Sequence, residues 1–287
     1  MPTIIDGKLV SNTIKENIKE DVSKIIKKYG KAPTLAVVLV GSNPASLIYV
    51  RNKIKACNKV GINSIQVILD ETASEEEIKN EVIKLANNPD VNGILVQLPL
   101  PKGINKENII ELIPENKDVD GLTKKNVAKL VLNEDGIVPC TPSGVVDLLK
   151  YYNIKISGKK VAIIGRSMLV GKPLSLLLTN LDATVTLCHS KTNNIEEITK
   201  NSDIIVCALG KPKFLKNNMV SENAVIIDVG INRIEDKIVG DADFENIFNK
   251  VSYITPVPGG CGPMTVAELL NNTIKCFNIQ NKWLMMV

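Results

Sequence analysis

The 287-residue chain has little of what several classes of protein require. It contains one histidine, His189, and only 3% of its residues are aromatic. A metal centre built on several histidines is therefore excluded. The stacking platforms that binders of single-stranded nucleic acid use are also scarce. Catalysis must rely on other groups, and no metal is expected.

Cysteine pairs and long apolar runs are missing as well. The six cysteines are widely spaced without a C-x-x-C pair, so we expect reduced thiols rather than a zinc cage or a disulfide framework. The longest apolar runs, 35–40 and 204–209, fall far short of the roughly 18 residues that span a membrane. No basic stretch followed by a long apolar segment is visible near the N-terminus. We expect a cytoplasmic protein with no membrane partner.

The charges form no block of one sign. The formal net charge is +4, and lysines alternate with glutamates and asparagines, so nucleic acid is not an expected partner. Hydrophobic residues make up 44% and charged residues 23%, as in an ordinary globular protein. The length predicts two domains, each large enough to bury a core.

Short apolar runs alternate with longer amphipathic segments from residue 35 onward. Predicted strands cover 35–41, 64–70, 93–100, 159–166, 183–188, 203–210, 224–230 and 252–260. They are apolar on both faces, as expected of parallel strands covered by helices. The rhythm breaks between Pro114 and Thr141, where we place a domain boundary. The predicted fold is α/β, with two domains that are each a mainly parallel sheet with flanking helices, the second Rossmann-like.

Three helix positions are predicted from local signals. One helix runs from about Pro44 to Val60, capped by Ser42 or Asn43, and another begins at Ser74 with a capping box. A last helix follows Pro263 and reaches about residue 277.

A glycine-rich turn follows the strand at 159–166. Gly165 to Pro173 read G-x-S-x-x-x-G-x-P, a variant of the dinucleotide fingerprint G-x-G-x-x-G. By itself the turn is equally consistent with an ordinary connection between a strand and a helix. The next predicted strand ends in CHSKT, at 188–192, where an NAD site would have an acidic residue. The hydroxyl of Ser190, with Lys191 and Arg166 as cations, favours NADP, and we interpret His189 as a strand-end residue without a chemical role.

The first half of the chain contains a second group of candidates. Tyr49 and Lys53 are four residues apart on one helix face, and Gln97 interrupts the apolar run ILVQLPLP. The alternatives are a solvated lysine and a buried amide satisfied by backbone. Asp118 and Asp120 lie in KDVDG, where an Asx turn is the structural alternative.

Together these motifs resemble one family. The chain contains, in order, Tyr49-x-x-x-Lys53, GILVQLPLP, KDVDG, PCTPSG, GRSMLVGKP, CHSKT, DVGIN and PVPGGCGPMT. This series resembles the bifunctional methylenetetrahydrofolate dehydrogenase/cyclohydrolase family from about residue 35 to 275. The resemblance implies a catalytic folate-binding domain at 1–120 plus 265–287, an NADP-binding domain at 121–264, a folate cleft between them and a homodimer. Cys261, where the family usually has an aliphatic residue, and Ala128, where glycine is common, depart from the family pattern.

The resemblance also implies an activity and a set of site residues. The enzyme would oxidise 5,10-methylenetetrahydrofolate with NADP and then hydrolyse the methenyl product to 10-formyltetrahydrofolate. Lys53 would be the general base or proton relay, Gln97 would tune it, Tyr49 would stack on the pterin and Asp120 would accept hydrogen bonds from it. Substrate contacts are expected from Ser46, Tyr49, Gln97, Leu98, Asp120, Pro258 and Gly259, and cofactor contacts from Gly165, Arg166, Ser167, Ser190 and Ile231.

Two other functions fit part of the pattern. A different NADP-dependent dehydrogenase, for a hydroxy or amino acid, would not need Lys53, Gln97 and Asp120 as a set. A nonenzymatic nucleotide-sensing module would keep the glycine-rich turn without the candidates of the first half. The chain has both groups.

Overall fold

The computed structural model describes residues 2–283, which divide into two compact units. One unit comprises the described residues within 13–140 and 266–287 and holds a three-stranded sheet, so we call it the three-stranded unit. The other comprises those within 1–12 and 141–265 and is called the six-stranded unit. Residues 121–140 thus pack with the three-stranded unit and residues 2–12 with the six-stranded unit. The functional domain bounds implied by the resemblance remain a prediction.

The strands and helices alternate along most of the chain. The strands are β1 (Thr3–Ile4), β2 (Thr34–Val40), β3 (Asn63–Leu69), β4 (Gly93–Val96), β5 (Lys160–Ile164), β6 (Thr184–Cys188), β7 (Ile204–Cys207), β8 (Val225–Asp228), β9 (Asn232–Ile234), β10 (Lys237–Val239) and β11 (Tyr253–Ile254). The α-helices are α1 (Gly7–Tyr29), α2 (Pro44–Val60), α3 (Glu75–Asn87), α4 (Lys106–Ile110), α5 (Lys124–Leu132), α6 (Cys140–Tyr151), α7 (Gly171–Asn180), α8 (Ile195–Lys200), α9 (Phe244–Ile247) and α10 (Cys261–Trp283). No helix among the described residues is long and apolar enough to cross a membrane.

The three-stranded unit is built around β2. Its neighbours β3 and β4 both run parallel to it, and every residue of β2 is buried, because helices cover both faces of the strand's sheet. Side chains that alternate along β2 enter two separate apolar clusters, with Leu35 in one and Ala36 in the other. The predicted strand at 93–100 ends already at Val96, since Pro99 and Pro101 cannot donate to a sheet.

The six-stranded unit has a parallel sheet in the order β1-β11-β8-β7-β5-β6. β5 lies between β6 and β7, so the direction of the strand order changes at β5, and ligands of such sheets bind beyond the carboxyl ends of the strands at this point. The sequence does not predict β1, because two residues are too short for a periodic pattern. The predicted fold class is confirmed.

The helix signals are confirmed with small differences. Asn43, rather than Ser42, accepts the hydrogen bond at the start of α2, from the Ser46 N–H at 3.2 Å. Both hydrogen bonds of the capping box between Ser74 and Glu77 are present. α10 begins at Cys261 and runs to Trp283, longer than predicted, with Pro263 in its first turn, where the missing N–H has no cost.

Candidate active site

Lys53 and Gln97 meet in the three-stranded unit. Lys53 lies on α2, and its Nζ donates to Oε1 of Gln97 at 2.9 Å. Gln97 directly follows β4; its backbone N–H donates to the Val38 carbonyl and its Nε2 donates to the Leu98 carbonyl at 2.7 Å. Because the hydrogen bond to Leu98 fixes the orientation of the side-chain amide, its oxygen is the atom that faces Lys53. The predicted pairing of an amine with an uncharged partner is therefore present in the fold.

Asp118 and Asp120 have different roles in the KDVDG turn. Asp118 is buried, and its Oδ2 accepts hydrogen bonds from the Thr123 N–H and Asn126 Nδ2 at 2.8 and 3.0 Å. The Asx-like structural role thus belongs to Asp118. Asp120 is only partly buried, and its Oδ1 lies 3.8 Å from Sγ of Cys140. The second aspartate is the one that remains available for a ligand.

The surroundings of Asp120 change its acidity. Burial raises the pKa of the Asp120 carboxyl to about 6, and the charge of Asp118 acts in the same direction, whereas nearby Lys53 favours the ionised form. Burial also raises the pKa of the Cys140 thiol well above its usual range. A carboxylate and an amine therefore share one electrostatic environment beside a neutral thiol.

Three further predicted substrate residues lie near these groups in sequence and differ in exposure. Tyr49 is 48% exposed on α2, four residues before Lys53, so its ring face is accessible. Ser46 is 6% exposed and its backbone N–H donates to the capping side chain of Asn43, and Leu98 is half-buried beside Gln97. Tyr49 is thus the member of this group with a large free surface.

The glycine-rich turn joins β5 to α7 at the point where the strand order changes. Gly165 has a φ of +125° and packs against the Ala208 carbonyl, an arrangement that a side chain would prevent. Oγ of Ser167 accepts the Val170 N–H at 3.1 Å, which shapes the turn. Arg166 and Ser167 are exposed, so the cation and the hydroxyl point away from the core. The turn has the position and the free groups of a dinucleotide site.

The segment after β6 forms a compact turn around His189. The His189 N–H donates to Oγ1 of Thr192 at 2.8 Å, and Nδ1 of His189 accepts the Lys191 N–H at 3.1 Å. Ser190 and Lys191, both exposed, are presented at the tip. The ring of His189 is thus used to close the turn.

The remaining predicted residues follow β8 and β11. Ile231 is 54% exposed, just before β9. Pro258 is exposed, and Gly259 has a φ of +115° while its carbonyl accepts the Lys8 N–H at 3.1 Å. All three lie in the six-stranded unit, and their ligand roles remain predictions.

Sequence reasoning did not find two sets of supporting residues. Asn272 of α10 donates to the carbonyls of Val119 and Val138, both at 2.9 Å, and so fixes the backbone next to Asp120. Asp228 accepts the backbone N–H groups of Gly230, Asp241 and Ala242, and Asp241 accepts Nδ2 of Asn232, so the two aspartates hold the residues on both sides of Ile231. Asn272 has no local sequence signal because its partners are more than 130 positions away.

Comparisons with known proteins assign both parts of the chain to one family. Residues 5–120 match the family model for the tetrahydrofolate dehydrogenase/cyclohydrolase catalytic domain, and residues 139–281 match the model for the NAD(P)-binding domain of the same family. The bifunctional protein FolD of Campylobacter hominis is 55% identical over 95% of this chain and 96% of its own length.

Solved structures give the same result. The FolD methylenetetrahydrofolate dehydrogenase/cyclohydrolase of Campylobacter jejuni has a TM-score of 0.95 and 47% identity, covering 97% of this chain and 100% of its own. The Trypanosoma brucei enzyme, crystallised with NADP and an inhibitor, has a TM-score of 0.94 and 37% identity, covering 97% and 98%. Family models match both parts of the chain, and relatives share about half of its sequence. The chain therefore belongs to the tetrahydrofolate dehydrogenase/cyclohydrolase family.

Proposed function

We propose that this chain oxidises 5,10-methylenetetrahydrofolate to the methenyl form with NADP and hydrolyses that product to 10-formyltetrahydrofolate. Both activities belong to the dehydrogenase/cyclohydrolase family of which this chain is a member, so the predicted enzyme class is confirmed. The observation that carries the proposal is the hydrogen bond between Lys53 and Gln97 beside the desolvated carboxyl of Asp120. Neither of the two alternative functions requires this group.

Lys53 performs proton transfer in the hydrolysis. Water adds through its oxygen to the methenyl carbon, and the amine of Lys53 takes the proton that the water loses. A proton is then returned to the departing ring nitrogen as its bond to that carbon breaks. The hydroxyl on the carbon loses its own proton to solvent as the C=O bond forms, which leaves the formyl group on the other nitrogen. Gln97 accepts a hydrogen bond from Nζ and fixes its direction without adding charge.

The pterin is held by neighbours of Lys53. The ionised carboxyl of Asp120 accepts hydrogen bonds from a ring N–H and the exocyclic amine, since a carboxylate has two acceptor oxygens at the right spacing. Tyr49, whose ring is half exposed, stacks on the pterin. Ser46 and Leu98 line the same pocket.

The six-stranded unit holds the cofactor. The glycine-rich turn at 165–171 takes the pyrophosphate, Arg166 and Ser190 take the 2′-phosphate, and Ser167 and Ile231 complete the contacts. These residues fit a nucleotide that carries a 2′-phosphate. Arg166 and Lys191 are exposed cations, Ser190 is an exposed hydroxyl, and the turn formed by Ser190 and Lys191 contains no carboxylate that would repel the phosphate. When bound, NADP supplies the acceptor for the hydride of the methylene carbon.

We also propose a homodimer in the cytoplasm. In the part of the chain that the structure describes, β3 pairs only with β2, so its other edge is unpaired. β3 carries no charged residue, and Ile68 is 56% exposed, so the strand lacks the usual protection against pairing with a second copy. Six free cysteines fit a reducing compartment.

A coupled absorbance assay tests the main proposal. Purified protein is mixed with methylenetetrahydrofolate and either NADP or NAD, and the methenyl intermediate is followed as it appears and decays. We expect formation with NADP and decay faster than in buffer. Absence of nucleotide-dependent oxidation, or decay at the uncatalysed rate, would contradict the corresponding activity.

A further inference from the structure

Two buried aspartates lie at the carboxyl ends of the strands in the six-stranded unit. Asp228 ends β8 and is 3% exposed, and Asp241 follows β10 and is 0% exposed. The Asp241 N–H donates to Oδ1 of Asp228 at 3.0 Å, so the two residues are in direct contact. Burial raises the pKa of the Asp228 carboxyl to about 6, and the charge of Asp241 acts in the same direction, whereas the backbone N–H groups that Asp228 accepts favour its ionised form. Two adjacent acidic groups in a core are costly and call for a reason.

Asp241 binds the loop that follows β7. Its carboxylate accepts three consecutive backbone N–H groups, those of Leu209, Gly210 and Lys211, at 2.8, 3.0 and 2.9 Å. Three amides that converge in this way form an anion-binding nest, and here the chain's own carboxylate fills it. The residue before the nest, Ala208, packs its carbonyl against Gly165 of the glycine-rich turn. The position of this loop is therefore linked to that of the turn.

The same pair fixes both neighbours of Ile231. The Gly230 N–H donates to Oδ1 of Asp228 at 2.9 Å, and Nδ2 of Asn232 donates to Oδ1 of Asp241 at 2.8 Å. A side chain at Gly230 would collide with the Asp241 carboxylate. Ile231 itself stays 54% exposed, held between two anchored residues. An exposed apolar side chain on a firmly fixed backbone is suited to contact a ligand ring.

We infer that Asp241, with Asp228 behind it, is a positioning residue for the nicotinamide cofactor, holding the 209–211 loop and Ile231 in their binding arrangement. The inference rests on the proposed cofactor role of Ile231 and the glycine-rich turn. A carboxylate suits this position because all four groups that reach it are N–H donors, and only an acceptor-only group satisfies them all. An asparagine there would direct two of its own N–H groups at these donors.

The test compares Asp241→Asn with a matched control, Asp203→Asn. Asp203 precedes β7 at its other end, accepts the Lys160 N–H at 2.8 Å and has a side chain 43% exposed. For each variant we would measure the NADP Kd by calorimetry, the NADP KM in oxidation, the thermal unfolding and the hydrolysis of methenyltetrahydrofolate supplied without nucleotide. We expect Asp241→Asn to raise the NADP Kd at least about tenfold, which corresponds to about 1.4 kcal/mol. Hydrolysis should stay within about twofold, as charge-assisted hydrogen bonds are lost only around the cofactor loop.

Other outcomes discriminate between explanations. A folded Asp241→Asn protein with an NADP Kd within about twofold of wild type overturns the inference, as does an equal fall of oxidation and hydrolysis, which marks a purely structural role. If Asp241→Asn does not fold, Asn232→Ala removes a single hydrogen bond and should raise the NADP Kd by about threefold with hydrolysis unchanged. An unchanged NADP Kd in Asn232→Ala then overturns it. Failure of the wild-type protein to bind NADP would instead refute the proposed function.

Discussion

At the scale of single residues, the site uses neutral partners to control charged ones. Lys53 faces an amide rather than a carboxylate, and Asp120 faces a thiol. Such partners accept or donate hydrogen bonds without fixing a protonation state, which suits groups that exchange protons or bind a polar ring. The structural carboxylate of the turn, Asp118, is satisfied by N–H donors instead.

Replacing Lys53 by methionine should separate the two activities. Hydrolysis requires proton transfer, whereas hydride transfer requires mainly alignment, so we expect hydrolysis to fall by a factor of about 10² or more and oxidation to fall less. The decay of directly supplied methenyltetrahydrofolate measures the first and nucleotide reduction the second. Lys55→Met, an exposed position on the same helix, is the control and should behave as wild type. If Lys53→Met hydrolysed methenyltetrahydrofolate at nearly the wild-type rate, Lys53 would have no role in proton transfer.

Replacing Asp120 by asparagine should weaken folate binding and stabilise the fold. The pKa of Asp120 is about 6 in the folded protein, above its ordinary value, so its contribution to stability is present at low pH and is lost as the pH rises through about 6. At pH 7.5 the free energy of unfolding of Asp120→Asn should therefore exceed that of the wild type by about 1–3 kcal/mol. This difference should vanish near pH 4.

Denaturant titrations at both pH values measure the stability of Asp120→Asn, and calorimetry measures folate affinity. Asp118→Asn is the contrasting variant, because it loses buried hydrogen bonds and should be destabilised at pH 7.5. A stable Asp120→Asn protein with unchanged folate affinity would refute the role of Asp120 as pterin anchor.

Replacing Ser190 by aspartate should reverse part of the cofactor preference. The tip after β6 presents a hydroxyl beside Lys191, and a carboxylate there would repel a 2′-phosphate. We expect NADP affinity to fall by about tenfold or more and NAD affinity to change much less. Competition titrations with both nucleotides measure the ratio. Equal use of NAD and NADP by the unmodified enzyme would show that Ser190 does not select the cofactor.

At the scale of elements, α10 supports a turn that is distant in sequence. Asn272 uses one amide group to bind the Val119 and Val138 carbonyls, and Gln280 binds those of Asn92 and Asn116, all in the three-stranded unit. Irregular backbone can be buried only where such donors reach it. The returning helix thus fixes the loop that carries Asp120.

Asn272→Leu should destabilise the protein and weaken folate binding together. The Val119 and Val138 carbonyls would lose the Asn272 amide donor, and Val119 would keep only the weak Cys140 thiol donor, so we expect a loss of about 1–3 kcal/mol of unfolding free energy. The adjacent residue Asn271 is exposed, so Asn271→Leu should change stability by less than about 0.5 kcal/mol. Denaturant unfolding and folate titration of both variants provide the measurement. Equal behaviour of the two would remove the support role assigned to Asn272.

At the scale of the whole molecule, the proposed homodimer is argued from β3, whose outer edge pairs with no other strand among the described residues. Light scattering after size exclusion should give about twice the chain mass for the wild type. Ile68→Lys places a charge on the edge strand and should shift the protein toward the monomer. Val131→Lys, on α5 and 55% exposed, is the control and should remain dimeric. A wild-type monomer at micromolar concentration would contradict the proposal.

The sequence determined the parts of this protein that depend on local pattern. Apolar runs predicted the parallel strands, Ser74 and Glu77 predicted a capping box, and the order of motifs predicted the family, because each signal lies within a few consecutive residues. Strand ends were less predictable, since β4 ends at Val96 and β11 at Ile254, although the predicted strands extended to residues 100 and 260.

The tertiary structure alone decided which of the polar residues act together. It assigned the structural role in KDVDG to Asp118 and left Asp120 available, a choice that two aspartates in one turn do not reveal. It also brought Gln97 to Lys53 across 44 positions and Asp241 to the loop after β7 across about 30. Burial and hydrogen-bond partners arise from packing between distant segments, so no local pattern encodes them.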